Sequence, residues 1–115
     1  MTVTIYHNPR CSKSRQTLQL LRDNGVEPKI VEYLNAPPSA EEMKRILAML
    51  GMAPRDLMRK KEAPYAARGL AEDSHSSEAL IDAMRADPIL IERPIVVKGA
   101  KAALGRPPEN VLKLL

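Results

Sequence analysis

The sequence predicts an α/β fold, a four-stranded mixed sheet with extra helices inserted between its two halves. Three observations carry that prediction: a strand, a helix and a second strand in the first third, a middle with helical apolar spacing, and a strand hairpin near the end. The chain has 115 residues, which sets the scale of one domain with a real core. We therefore read 1–115 as a single domain with a helical insertion over about 39–87.

Residues 2–7 alternate and are rich in β-formers, so they make a first strand that ends at Asn8-Pro9. Residues 12–24 place Leu18, Leu20 and Leu21 on a helical pattern, and Gly25 provides the left-handed stop. Residues 29–34 form the second strand, and the short span implies a right-handed βαβ unit with parallel strands. Pro37-Pro38 then breaks the chain. Ser39-Ala40-Glu41-Glu42 is a capping box before Met43, Ile46, Leu47 and Leu50, with Gly51 as the stop. Pro54 opens a short helix through Met58, and Ser76-Ser77-Glu78 begins another that carries Leu80, Ile81 and Met84 to Asp87-Pro88. The methionines fall at helical core spacing and read as packing, not as metal ligands; no metal site is expected. Ile95–Lys98 and Lys101–Leu104 flank Gly99-Ala100 as a hairpin. Pro108 and Glu109 start a last helix with Val111, Leu112 and Leu115 on its apolar face.

The single cysteine, Cys11, stands between the first strand and the first helix. A thiol there meets the unpaired N–H groups and positive end of the helix, and Arg10, Lys13 and Arg15 lie within four residues of it. Both effects favour the thiolate, which is the reactive form. With one cysteine there is no internal disulfide, and the reading is a reduced, cytoplasmic setting. The start of the chain lacks a signal-peptide pattern, and no apolar run has the length of a membrane span.

Lys and Arg number 18 against 14 Asp and Glu, a net charge of +4. The basic residues are dispersed, and three Tyr with no Phe or Trp leave little for base stacking, so nucleic acid is not the expected partner. A small anionic substrate fits the same charge. A phosphatase-type loop needs Cys-x5-Arg, but position 17 is Thr; a dithiol oxidoreductase needs Cys-x-x-Cys, but position 14 is Ser.

His7-Asn8-Pro9-x-Cys11 with Ser14-Arg15, Leu57-Met58-Arg59-Lys60, Gly69-Leu70-Ala71-Glu72-Asp73 and Arg93-Pro94-Ile95-Val96-Val97 together resemble the glutaredoxin-coupled arsenate reductases, the ArsC family. Ser12-Lys13, where well-studied members often carry Gly-Thr, is similar to the YfgD-like branch. The resemblance implies a thioredoxin-like core with a helical insertion, Cys11 as nucleophile, and Arg59, Arg93 and Arg106 as arsenate-binding arginines. It implies supporting places for His7, Asn8, Ser14 and Arg15, and a cis Pro94 beside the cysteine. It also implies arsenate reduction with glutathione as reductant and glutaredoxin as the external thiol partner, with no bound cofactor. A different class is kept in view: an Spx-like module that binds RNA polymerase, or a thiol oxidoreductase acting on another substrate.

Overall fold

The computed structural model describes residues 2–115. Two compact units are present, one formed by 2–36 with 93–115 and the other by 37–92. The first holds strands β1 (Val3–Tyr6), β2 (Lys29–Val31), β3 (Ile95–Lys98) and β4 (Lys101–Leu104), helix α1 (Ser12–Asp23) and a 3₁₀ helix, Pro108–Leu114. The sheet order is β2-β1-β3-β4. β1 and β2 are parallel, while β3 is antiparallel to both β1 and β4, which gives the expected mixed thioredoxin-like sheet.

Register decides where the loops go. Tyr6 pairs with Ile95, and Ile95 with Leu104. The loop after β1, the residues before β3 and the residues after β4 therefore lie at one end of the sheet. One face packs Val3, Ile5 and Val96 against Leu21 of α1 and Val111 and Leu114 of the 3₁₀ helix. Leu18 and Leu20 are partly buried against the same cluster.

Two segments of this first unit depart from the sequence expectation. β2 ends at Val31 instead of residue 34, because the Glu32 carbonyl accepts the N–H groups of Asn35 and Ala36, each at 3.0 Å, and turns the chain. The C-terminal segment is 3₁₀, not α. At three residues per turn, Pro108, Val111 and Leu114 share the inner face, whereas Leu112 and Leu115, expected partly on an α-helical face, are 39% and 44% exposed.

In the second unit, α2 (Ala40–Leu50) starts at the predicted capping box: Glu42 N–H donates to Ser39 Oγ at 3.2 Å and Ser39 N–H to Glu42 Oε1 at 3.3 Å. Gly51 stops it at φ 67°. A 3₁₀ turn, Pro54–Leu57, precedes α3 (Ala63–Ala67), a five-residue helix absent from the sequence reading; its Pro64 sits in the first turn, where proline is tolerated. α4 (Ser77–Ala86) leads to a further 3₁₀ turn, Pro88–Leu90. Met43, Ile46, Leu57, Ile81, Met84 and Leu90 are buried here. Arg55 donates to Tyr65 Oη, Leu70 O and Glu72 O, tying the turn before α3 to the loop after it. Among the described residues no helix is long and apolar enough to cross a membrane.

Leu21 is fully buried where α1, the sheet and the 3₁₀ helix meet. Leu21→Ala is expected to lower unfolding stability by about 2–5 kcal/mol, the usual cost of a buried Leu truncation. Urea denaturation of the two proteins measures it, and a loss under about 1 kcal/mol would contradict this placement of the core.

Candidate active site

The site begins with the turn that carries the chain from β1 to α1. His7 N–H still donates to Val31 O at 2.8 Å, extending the β1–β2 ladder by one bond. Asn8 then reverses the chain: its Oδ1 accepts the Arg10 N–H at 3.0 Å, and its carbonyl accepts the Cys11 N–H at 3.0 Å. This leaves Cys11 in extended conformation, φ −95° and ψ 123°, as the residue that caps α1. Its carbonyl accepts the Arg15 N–H at 3.0 Å, closing the first turn, and the thiol at this position faces the helix's free N–H groups.

Ser14 holds the turn from inside. It is fully buried, and its Oγ accepts the Asn8 N–H at 3.0 Å and lies 2.7 Å from His7 Nδ1. The direction of that second bond follows the imidazole tautomer. Burial lowers the His7 pKa; Glu32 opposes the shift, and Arg15 and Arg22 add to it. His7 is therefore a neutral, buried hydrogen-bonding group near pH 7. Arg15, exposed on α1, donates from Nη1 to Pro9 O at 2.8 Å and braces the outside of the same turn.

Partial burial pushes the Cys11 pKa up, but the Ser14 N–H, the Arg93 guanidinium by hydrogen bond and charge, and the Lys13 N–H together outweigh it. The net result is a thiol pKa below the ordinary value. The expected direction holds with a different source. Arg10, Lys13 and Arg15 supplied the charge in the sequence reading, yet their side chains are exposed, and the cation that acts on the sulfur is Arg93.

Arg93 is only 8% exposed and stands two residues before β3. The Arg93–Pro94 bond is cis, as the family resemblance implies; Arg106–Pro107 is also cis, which the sequence reading did not anticipate. Arg106 follows β4, and its Nη1 donates to Arg93 O at 3.2 Å. Thus the first unit gathers His7, Asn8, Cys11, Ser14, Arg15, Arg93, Pro94 and Arg106 at one end of its sheet. Arg59 belongs to the second unit. There its Nε donates to Glu62 Oε2 at 3.2 Å, its Nη1 lies 3.8 Å from Glu92 Oε2, and its N–H donates to Leu90 O at 2.6 Å.

Two further residues at this end were missed. Thr17 is fully buried on the inner face of α1, three residues beyond Ser14, and Gly105 is buried after β4. The spacing of Ser14, Thr17 and Leu21 marks one helix face and was the available signal, although two of the three residues are polar.

A thioredoxin-like sheet, a thiol of lowered pKa at the start of α1 and a buried arginine acting on it define a thiol protein equipped to meet an anion. The ArsC family model matches residues 6–114, and the chain belongs to the ArsC family. It is 56% identical to the uncharacterized protein YfgD of Escherichia coli (strain K12) over 98% of this chain and 96% of that protein. It is 50% identical to the arsenate reductase of Rhizobium meliloti (strain 1021), over 100% of this chain and 82% of that one. Among solved structures, an arsenate reductase from Vibrio cholerae superposes with a TM-score of 0.96 at 50% identity, covering 100% of this chain and 98% of that chain.

Alkylation of Cys11 by iodoacetamide should show a pH midpoint below that of an ordinary cysteine, about 8.5. Arg93→Ala should move the midpoint upward, since it removes both a hydrogen bond and a positive charge from the thiolate. A parent midpoint at or above the ordinary value, or no change in the variant, would remove Arg93 from the account of thiol reactivity.

Proposed function

We propose that this chain reduces arsenate to arsenite at Cys11, with glutathione and glutaredoxin supplying the reducing thiols. The observation that carries the reading is the thiol at the start of α1, whose pKa is lowered by the Ser14 N–H, Arg93 and the Lys13 N–H against the effect of burial. Its similarity to arsenate reductases along the whole chain supports the choice of oxyanion. Arsenate is an anion near neutral pH, so a thiolate approaching it meets repulsion that cations must offset. Arg93 and Arg106 suit that task because a guanidinium offers paired donors to neighbouring oxygens; Arg59 is proposed as the third arsenate ligand.

The Cys11 thiolate attacks arsenic, forming an S–As bond and releasing a protonated oxygen as water. Glutathione then adds to the same arsenic, and a second oxygen leaves as water. The chain has one cysteine and no second thiol of its own to continue. A glutaredoxin thiolate attacks the glutathione sulfur instead; the electron pair of the breaking As–S bond stays on arsenic, which falls from the +5 to the +3 state, and a glutaredoxin–glutathione disulfide forms. Water releases arsenite and restores Cys11. His7, Asn8, Ser14, Arg15 and Pro94 support the reaction by fixing the turn and the strand end around it. The need for glutathione and glutaredoxin places the activity in the cytoplasm.

The test is arsenite formation by the purified protein with arsenate, glutathione and glutaredoxin. Without glutaredoxin, intact-protein mass spectrometry should find Cys11 carrying arsenic and glutathione, and adding reduced glutaredoxin should clear the adduct as arsenite forms. Cys11→Ser should form neither adduct nor product. Full-rate arsenite production without glutaredoxin would overturn the partner's role; no arsenite under any thiol supply would overturn the activity itself.

Arg93→Ala and Arg106→Ala should each lower kcat/KM for arsenate by roughly tenfold to a hundredfold, the range expected for loss of a charge-assisted hydrogen bond. Lysine at either position should recover only part of the loss, because it restores charge without the planar fork. Steady-state kinetics measures both effects, and unchanged values in both alanine variants would count against an arginine-lined oxyanion site.

A further inference from the structure

We infer that Thr17 and Gly105 form a spacer that sets the arginine-bearing strand ends against α1, making them positioning residues for Arg93 and Arg106 relative to Cys11. The inference begins with Gly105. Its backbone needs no left-handed conformation, so conformational freedom does not explain a glycine here. Space does. A Cβ at position 105 would overlap Thr17 Oγ1, lie 2.7 Å from Pro94 Cγ and lie 2.9 Å from Thr17 Cγ2. Neither neighbour is a flexible side-chain end: threonine is branched at Cβ and the proline ring is closed.

The contact is tied into both arginine segments. Gly105 N–H donates to Pro94 O at 2.9 Å, and the next residue, Arg106, donates through Nη1 to Arg93 O at 3.2 Å. The 93–94 and 105–106 segments are thus clamped to each other and move together. On the other side, Thr17 is fully buried on α1, the helix that Cys11 caps. Its hydroxyl donates to Lys13 O at 2.8 Å and stands 3.5 Å from Gly105 O. Helix, spacer and clamp form one chain of contacts, so the Thr17–Gly105 separation governs how close the guanidinium of Arg93 comes to the sulfur. Widening it by a methyl group pushes both arginines away together.

The effect on turnover rests on the arsenate reductase reading, whereas the effect on the thiol does not. Gly105→Ala is expected to raise the alkylation midpoint of Cys11 and to lower kcat/KM for arsenate by about tenfold or more, since small misplacements at a reacting centre have large kinetic effects. Thr17→Ala removes both atoms of the close approach on the helix side. The double variant Thr17→Ala/Gly105→Ala should therefore regain part of both losses, which a general loss of stability would not produce. Should Gly105→Ala fail to fold, Thr17→Ala/Gly105→Ala is compared with Thr17→Ala alone, and the residual Pro94 contact predicts a higher midpoint in the double variant. A folded Gly105→Ala protein with the parent midpoint and parent kcat/KM overturns the inference, as does a folded Gly105→Ala whose losses the double variant does not reduce; where Gly105→Ala does not fold, a double variant indistinguishable from Thr17→Ala overturns it. If the parent reduces no arsenate, the proposed activity falls and the alkylation midpoints alone decide the positioning role.

Discussion

The site depends on one line of strand pairing, Tyr6 to Ile95 to Leu104, across β1, β3 and β4. Cys11, Arg93 and Arg106 lie far apart in the chain, and each sits a few residues beyond a member of that line. Antiparallel pairing brings the exit of β1, the entry of β3 and the exit of β4 to one edge of the sheet. A slip of one residue in β3 would exchange its faces, taking Val96 out of the core and Arg93 away from the thiol. The apolar packing that fixes register for stability also fixes it for chemistry. Ile95 and Val96, 1% and 0% exposed, hold the register by burial.

Within that frame the thiolate is stabilised from two directions that the fold supplies independently. Helix geometry supplies the N–H groups of Lys13 and Ser14, which exist wherever a helix starts. Sheet register supplies the guanidinium of Arg93. Burial works against both, and it is the largest single influence on Cys11. The same low-dielectric setting that penalises the bare thiolate strengthens its interaction with a nearby cation, so partial burial with a partner is workable where burial alone would silence the residue.

Elements whose limits are written in local chemistry were legible in the sequence. The capping box at Ser39 and the stop at Gly51 bound α2 as read, and the glycine turn at Gly99 lies between β3 and β4. Limits set by other parts of the chain were not. Nothing local in residues 32–34 declares that Glu32 will accept two N–H groups and end β2, and nothing in Val111-Leu112-Lys113-Leu114 separates a 3₁₀ face from an α face until the sheet selects Val111 and Leu114. At the site, Cys11 and its helix start were visible because they are adjacent in sequence. Family resemblance marked Arg93 as an arsenate ligand, but its partnership with the thiol was not visible, because it is made by register and not by spacing.

The source of the charge also bears on Ser12-Lys13, where this chain departs from the Gly-Thr common among well-studied family members. Had the thiolate relied on flanking side chains, an added lysine at position 13 would retune it directly. Instead both side chains are exposed, and position 13 acts on the sulfur through its backbone N–H. That group is present whatever residue stands there, proline excepted. The substitution therefore changes the outer surface of the first helical turn while leaving the two backbone donors and Arg93 in place. Its consequence falls on the solvent-facing surface of that turn more than on the groups that lower the Cys11 pKa.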